Sequence, residues 1–158
     1  MRSIYKLVVC SLLTLSITSC EKDLLEKEQY QKEIYLIGAY NRVWTTEVSY
    51  SNEEVKTYFT VSSSGTLALD RDVNVKMKIN EELVDIYNKK YWTVLNEDKY
   101  YKSLDTDLYS IPSLENTVIK HAEGISAEVP VLIKTASLKI DQSYVIPVEI
   151  ESTTGYPI

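Results

Sequence analysis

The sequence predicts a mainly β protein, a β-sandwich with Greek-key connections and one short α-helix at about residues 81–91. Apolar and polar residues alternate in many short segments, which is typical of strands that bury one face. Turn residues separate these segments at spacings of about 8–12 residues, as they do in sandwiches. Only one segment repeats its apolar residues at helical spacing, so we expect a single helix.

The strands before the helix are predicted from alternation and composition. We expect strands over residues 34–40, 42–50 and 56–62, with Gly38 marking a bulge or a close backbone approach in the first of them. The clearest alternation covers residues 73–79, where every second residue is apolar and the residues between them are polar. This pattern predicts one face on a core and one in water.

The helix is predicted to begin after Asn80, a good N-cap residue. Leu83, Tyr87 and Tyr91 recur every four residues and, with Val84 alongside, would form an apolar stripe on the core. Residues 96–107 form a polar, tyrosine-containing loop in this prediction.

Three more strands are expected, over residues 117–120, 127–134 and 144–150. Pro130 cannot donate a ladder hydrogen bond, so the second of these strands should be an edge or be bulged at that residue.

The first 19 residues have the layout of a lipoprotein signal peptide. Arg2 and Lys6 supply the positive start, and the apolar run of residues 7–17 is about half the ~20 residues that span a bilayer. Cys20 follows two small residues and is the predicted lipidation site, so the membrane is the predicted partner. The alternatives are an ordinary cleaved signal with an incidental cysteine and, less favoured, a buried globular helix.

A charged tether is predicted over residues 20–33, and the sandwich domain over residues 34–158. Glu21 and Asp23 loosely resemble the acidic export signal of Bacteroidetes surface lipoproteins. We therefore expect an outer-membrane, lipid-anchored protein at the cell surface. The alternative is a solvated linker without an export signal, and a location on the periplasmic face of the membrane then stays open.

Composition excludes several partner classes. Removal of the signal would take away Arg2 and Lys6 and change the formal net charge from −6 to −8. Nucleic acids and anionic lipids require a cationic face, so neither is expected as a partner. Cys10 leaves with the signal and Cys20 is acylated, so the folded domain retains no thiol for a disulfide or a metal site. No cofactor and no metal are predicted.

The acidic, histidine and serine candidates for chemistry are all weak, and no catalytic residue is predicted. Pairs of acids could serve glycoside hydrolysis or calcium binding, but solvated loops and ordinary turns explain them better. These pairs are Glu97 and Asp98, Asp105 and Asp107, and Asp70 and Asp72. His121 is expected to be a surface residue, and the serines at 62–64 lack the strand-to-helix turn of a hydrolase.

Aromatic residues are the only feature that points towards binding. Their apolar ring faces could stack on sugar rings, although packing of the helix and loop onto the sandwich is the simpler explanation for each. The candidate glycan-binding residues are Trp92, Tyr100, Tyr101, Trp44 and Tyr109.

Five segments together carry a family resemblance. They cover residues 58–66, 72–79, 82–88, 127–134 and 143–150. Their order and spacing resemble the N-terminal β-sandwich domain of unknown function that is common in Bacteroidetes surface lipoproteins. The resemblance covers residues 34–158 and implies an immunoglobulin-like sandwich on a lipid anchor. Relatives usually continue into one more strand and a second module, so we expect either a minimal or truncated member of the family or a domain whose last strand comes from elsewhere.

The resemblance also implies a role. Such domains often precede a glycan-binding module or a family-18 glycoside hydrolase in polysaccharide-utilisation systems. The leading hypothesis is therefore a non-enzymatic surface protein, an accessory or glycan-capture domain in polysaccharide acquisition. The alternative is a structural spacer or an adhesin-type assembly subunit, which docks a neighbouring surface protein by strand addition. No catalytic residue is assigned to the family domain, so none is carried over.

Overall fold

The computed structural model describes residues 30–39, 43–65, 67–92, 94–140 and 142–158. The predicted signal peptide, Cys20 and the tether up to residue 29 lie outside these residues. The strands are β1 (Ile34–Leu36), β2 (Glu54–Ser63), β3 (Val73–Ile79), β4 (Lys102–Ser103), β5 (Tyr109–Ser110), β6 (Thr117–Ile119), β7 (Ser126–Lys134), β8 (Tyr144–Val145) and β9 (Val148–Thr153). Helix α1 covers Glu82–Tyr91, and 3-10 helices cover Val94–Lys99, Thr106–Leu108 and Thr135–Ser137.

Two antiparallel sheets pack against each other. One has the strand order β1–β2–β7–β5 and the other has the order β6–β3–β9, while β4 and β8 form a small parallel pair. The main core contains apolar side chains from both larger sheets: Ile34, Val61, Leu69, Val73, Val75, Met77, Ile119 and Val129. The predicted mainly β fold with the form of a β-sandwich is confirmed, and the immunoglobulin-like connectivity stays a prediction.

The alternation in β3 has the predicted consequence. Val73, Val75 and Met77 are buried in the core, and Asn74 and Lys76 between them are exposed. Each buried side chain of this size contributes roughly 1.5–3 kcal/mol relative to its exposed state. The strand is thus specified by its own pattern of burial, because a one-residue slip would expose its whole apolar face.

Pro130 lies at a locally open edge of β7. Strand β7 pairs with β2 along its whole length, and Tyr58 is opposite Pro130 in that register. On its other side, β5 pairs only with Leu132 and Ile133. At Pro130, β7 therefore has one described neighbouring strand. No ladder donor is needed on the open side, so a proline, which has no backbone N–H, is tolerated there.

The predicted strand over residues 42–50 is wrong for the part that the structure describes, because residues 43–50 form no strand. Most of this segment is exposed, and its Val48 packs against a second apolar cluster. The predicted first strand is also shorter than expected and ends at Leu36. Gly38 has a φ of +86°, and a Cβ there would lie 2.7 Å from the Trp44 ring, so the close approach is real but belongs to a turn.

The apolar stripe predicted for the helix is confirmed for Val84 and wrong for Leu83 and Tyr91. Val84 and Asn88 are the buried residues of α1, whereas Leu83 and Tyr91 are exposed and Tyr87 is half-buried. Tyr91 therefore does not belong to the core. Asn80 keeps its expected role in part, because its Oδ1 accepts a hydrogen bond from the Glu82 amide at 3.2 Å. The other side of the helix is exposed to water.

The second apolar cluster fills the part of the larger sheet that the smaller sheet does not cover. Leu104, Val131 and Ile133 are its buried members. The β4–β8 pair and the loops around it form its lid, and the Leu104 amide donates to the Val145 carbonyl at 2.9 Å. Near the start of the domain, the Glu33 amide donates to Ser64 Oγ at 2.8 Å. None of the helices that the structure describes has the length and apolar character needed to span a bilayer.

Candidate functional site

A side-chain clamp holds the loop after α1 against the helix. Asn88 is buried, its Nδ2 donates to the Tyr101 carbonyl at 2.9 Å, and its Oδ1 accepts from the Tyr101 amide at 3.0 Å. At the start of the helix, Ser103 Oγ donates to the Glu81 carboxylate. The loop from Trp92 to Ser103 is therefore tied at both ends of α1, and its aromatic residues keep a fixed place.

The Trp92 pocket is an open cleft of about 320 Å³ at the C-terminal end of α1. It is lined by Lys89, Lys90, Tyr91, Trp92, Val94 and Tyr100. Its volume lies within the ~300–1,000 Å³ of small-ligand pockets. Val94 is 76% exposed and the neighbouring Leu95 is 90% exposed, so apolar surface continues beyond the pocket.

The Glu81 pocket is a larger cleft of about 690 Å³ on the other side of the loop. Its lining combines acidic groups with the same aromatic loop: Glu81, Glu82, Val84, Asp85, Asn88, Glu97, Tyr100, Tyr101, Lys102 and Ser103. Tyr100 lines both pockets, so its ring stands between them. The helix–loop site, defined here as these two pockets together, thus has one basic and one acidic part.

Aromatic contacts stabilise the wall of the site. The Tyr87 ring lies 4.5 Å from the Tyr91 ring and 5.6 Å from the Tyr101 ring, centroid to centroid. The second pair is edge-to-face, which suits the quadrupoles of both rings. Burial raises the pKa of the Tyr87 hydroxyl above its ordinary value. Tyr91 and Tyr101, which line the two pockets, thus rest on the Tyr87 ring.

Three of the five predicted aromatic candidates come together at this site, and two do not. Trp92, Tyr100 and Tyr101 line its pockets. Trp44 lies over Gly38 with 60% of its surface exposed and lines neither pocket. Tyr109 lies in β5 at the second apolar cluster, where burial raises its pKa.

Buried polar atoms without a partner mark this part of the molecule. Tyr109 Oη and Trp92 Nε1 are both buried and have no hydrogen-bond partner among the described residues. Such atoms are uncommon in folded proteins.

Reasoning from the sequence did not identify Lys89, Lys90 and Asn88 of the site, or Lys99 beside it. In the sequence, Lys89 and Lys90 have only the pattern of favourable charges at the C-terminal end of a helix. Lys99 lies with its Nζ 5.7 Å from the centre of the Trp92 ring. Asn88 gave no signal beyond a polar residue in the middle of a predicted helix, a position where asparagine is unfavourable unless it has a specific partner.

The weaker candidates are explained by local hydrogen bonds. Asp105 Oδ1 accepts from the Asp107 amide at 3.1 Å and caps a 3-10 helix. Asp70 pairs with Arg71 at 2.8 Å, and Asp72 Oδ1 lies 2.6 Å from His121 Nδ1. The described residues contain no group of three or more His, Cys, Asp or Glu side chains placed to hold a metal ion.

The serine run has a structural role. Ser62 Oγ donates to the Ile125 carbonyl at 3.3 Å, Ser63 Oγ donates to the Ser64 carbonyl at 3.0 Å, and Ser64 Oγ accepts from Glu33.

Glu97 lines the Glu81 pocket, whereas Asp98 is exposed in the same 3-10 helix.

Solved structures with a similar fold come from Bacteroides ovatus. A structural-genomics protein of unknown function superposes with a TM-score of 0.63 at 14% identity over 82% of this chain. A multidomain protein that includes a DUF1735 domain gives a TM-score of 0.54 at 17% identity over 65% of this chain. The matched regions cover only 42% and 33% of those two proteins, so these similarities concern the fold of one part of each.

Family comparison gives the assignment. A search of the curated proteins finds no significant match. Residues 30–157 match the model of a family described as a "-like, N-terminal domain". Together with the Bacteroides structures, this match supports the predicted resemblance at the level of a Bacteroidetes domain of unknown function. Because the model spans most of the sequence, the chain belongs to this family of N-terminal domains.

Proposed function

We propose that the protein is a non-enzymatic, lipid-anchored cell-surface protein that captures glycans for polysaccharide acquisition. The single observation that carries this proposal is the Trp92 pocket, where Trp92 and Tyr100 line one open cleft. Aromatic rings bind sugars through the apolar face of the pyranose ring, and the hydroxyls of the sugar remain in contact with water and polar side chains. Lys89 and Lys90 supply hydrogen-bond donors for these hydroxyls beside the rings.

The rigidity of the site supports the same role. Bidentate hydrogen bonds from Asn88 fix Tyr101 and leave Tyr100 in its place between the two pockets. A preformed cleft loses less conformational freedom on binding than a mobile loop, which favours affinity for a flexible polysaccharide.

Anchoring through Cys20 is the part of the proposal that concerns localisation. The charge, apolar run and cysteine of residues 1–20 support an acylated protein in the outer membrane. Two or more acyl chains on one residue would hold the protein firmly, because one chain alone binds only marginally. Palmitate labelling that is lost in Cys20→Ala, together with accumulation of the precursor in globomycin, is the expected result. Labelling that persists in the variant would contradict it.

A glycan array tests the binding role. The full chain, purified in a non-ionic detergent, should bind a restricted set of glycans, and Trp92→Ala should weaken this binding at least tenfold by removing the main stacking surface. Trp44→Ala is the matched control, because Trp44 is also exposed but lies outside both pockets. Its binding should equal that of the unmodified chain.

Two outcomes would contradict the proposal. A blank array from a chain with a normal circular dichroism spectrum would exclude glycan capture as its function. Equal losses in Trp92→Ala and Trp44→Ala would show that binding does not occur at the Trp92 pocket.

A spacer or assembly subunit is the second candidate, and the edge of β9 favours it. Strand β9 pairs with β3 on one side, and no described strand pairs with its other side. Val148 and Ile150 of this strand are only half-buried. An open edge of this kind accepts an added strand. A monomeric full chain with well-dispersed amide spectra and no added peptide would count against this candidate.

A further inference from the structure

Three lysines at the Trp92 pocket have no acidic partner. Lys89 and Lys90 line the pocket, and Lys99 lies against the Trp92 ring. None of them forms an ion pair with any residue that the structure describes, whereas Lys76, Lys78 and Lys120 on the sandwich each pair with a glutamate. The three lysines therefore place uncompensated positive charge at one small part of the surface.

The position of these charges relative to the rings is specific. Lys90 Nζ lies 5.6 Å from the centre of the Tyr91 ring, and Lys99 Nζ lies 5.7 Å from the centre of the Trp92 ring. Both distances are within the ~6 Å of cation–π contacts. The ammonium groups of Lys90 and Lys99 thus lie over faces of the Tyr91 and Trp92 rings, and a sugar ring would stack on Trp92 beside this positive charge.

The charge of the pocket is opposite to that of the whole chain. The formal net charge of the chain is −6, and the lining of the Trp92 pocket contains two lysines and no acidic residue. The adjacent Glu81 pocket contains Glu81, Glu82, Asp85 and Glu97 with only Lys102 as a basic residue. The net charge of the chain disfavours a negatively charged ligand, whereas the lysines of this cleft attract it.

We propose that the Trp92 pocket selects an anionic glycan, with a sugar carboxylate or sulfate held by Lys89, Lys90 and Lys99 while its ring stacks on Trp92. This inference rests on the proposed glycan-capture function and adds the class of ligand. Charge-assisted hydrogen bonds from ammonium groups to a carboxylate or sulfate are the strong polar contacts that such a pocket can make. The acidic Glu81 pocket sets the orientation, because the anionic sugar must lie on the side of Tyr100 that faces the lysines.

Calorimetric titration of the full chain in non-ionic detergent tests the inference. The probes are an oligogalacturonide for the carboxylate, a chondroitin sulfate oligosaccharide for the sulfate, a neutral cello-oligosaccharide of similar length, and single-stranded DNA. The test variant is the double substitution Lys89→Gln and Lys90→Gln. Its matched control is Lys56→Gln with Lys139→Gln, because both lysines are exposed outside the pockets and Lys56 also lies beside an aromatic ring.

The expected result has three parts. At least one anionic oligosaccharide binds about tenfold or more tightly than the neutral one, and the comparison of the two anionic probes identifies the acid group. The affinity falls as salt is raised from 50 to 500 mM, because exposed charges are screened. The pocket double variant loses about tenfold in affinity for the anionic probe, and the control double variant keeps it.

Other outcomes would overturn the inference in distinguishable ways. Equal, salt-insensitive binding of neutral and anionic glycans that still depends on Trp92 would remove the anionic preference and leave glycan capture intact. Binding of no glycan by a folded chain would remove both. Equal affinity for single-stranded DNA and the anionic glycan would show unspecific charge attraction. Equal losses in the two double variants would exclude the pocket as the origin of the preference.

Discussion

The two halves of the domain differ in whether their polar and charged groups have bonding partners. The sandwich half consists of the parts of the two facing sheets around the main core and the turns at the start of β3. The helix half consists of α1, the loop after it, and the second apolar cluster with β5 and the end of β7 that line it. In the sandwich half, several surface charges form ion pairs: Asp70 with Arg71, Asp72 with His121, and Lys76 with Glu151. In the helix half, the lysines of the Trp92 pocket and the buried Trp92 Nε1 have none among the described residues.

This difference separates scaffold from site. Paired charges and a fully buried core stabilise a surface that has no remaining demand for a ligand. Unpaired cations, exposed apolar residues such as Leu95 and a buried donor without an acceptor are features that a ligand can satisfy. The helix half therefore carries the binding function in our proposals, and the sandwich half holds it in place.

The same substitution in each half gives the sharpest test of this contrast. Ile119→Ala should cost about 2–5 kcal/mol of unfolding free energy, because Ile119 is fully buried between the sheets and a cavity would remain. Ile86→Ala on α1 should change it by about 0.5 kcal/mol or less, because Ile86 is 54% exposed. Urea denaturation of both variants measures the difference. Equal costs would contradict the division into scaffold and site.

Removal of the helix clamp should have the next largest effect. Asn88→Ala leaves the buried amide and carbonyl of Tyr101 without their partners, and we expect a loss of about 1–3 kcal/mol. Hydrogen exchange at the Tyr101 amide should accelerate more than exchange in β3, because the loop loosens first. Asn52→Ala at an exposed turn is the control and should change neither quantity. An unchanged Tyr101 amide would show that the loop is held by other contacts.

Removal of the hydroxyl from two different tyrosines should change the stability of the fold in opposite directions. The Tyr156 hydroxyl donates to the Asp70 carboxylate in the sandwich half, so Tyr156→Phe should cost about 1 kcal/mol. The Tyr109 hydroxyl is buried without a described partner in the helix half, so Tyr109→Phe should be neutral or stabilising by up to about 1 kcal/mol. Thermal unfolding at pH 7 compares the two variants, and a larger loss in Tyr109→Phe would reverse the contrast.

The smallest expected effect depends on pH. Hydrogen bonds from His121 hold the pKa of Asp72 below its ordinary value. Such a carboxylate stabilises the fold above its unfolded-state pKa of about 3.9, and this contribution is lost as the pH falls through the lower folded-state pKa. Asp72→Asn should therefore lower the Tm at pH 5–7 and leave it unchanged in strong acid.

Asp98→Asn is the matched control for this measurement, because Asp98 is exposed in the helix half and has no described ion-pair partner. Its Tm should follow that of the unmodified chain at every pH. A difference between Asp72→Asn and the unmodified chain that persists in strong acid would point to a cause other than the carboxylate charge.

The sequence predicted strands where burial alternates with period two, and β3 begins and ends where the pattern does. It failed at residues 43–50, because a segment can pack one side chain against an apolar cluster without forming a ladder. The helix was predicted within one residue, but its buried face was misjudged because Asn88 gains two hydrogen bonds that spacing cannot reveal. Three aromatic members of the site were predicted, whereas the unpaired lysines depend on which acids the fold brings near.

The Ile34 amide donates a hydrogen bond to the Pro157 carbonyl at 2.8 Å, which joins β1 to the segment after β9. This hydrogen bond lies near the contact of Tyr156 with Asp70, just before β3 begins, and α1 follows the other end of β3. The seven residues of β3 are extended, so its two ends are roughly 20 Å apart. A circular permutant of residues 34–157 that links Pro157 to Ile34 and opens the turn before β6 should therefore keep the Trp92 pocket.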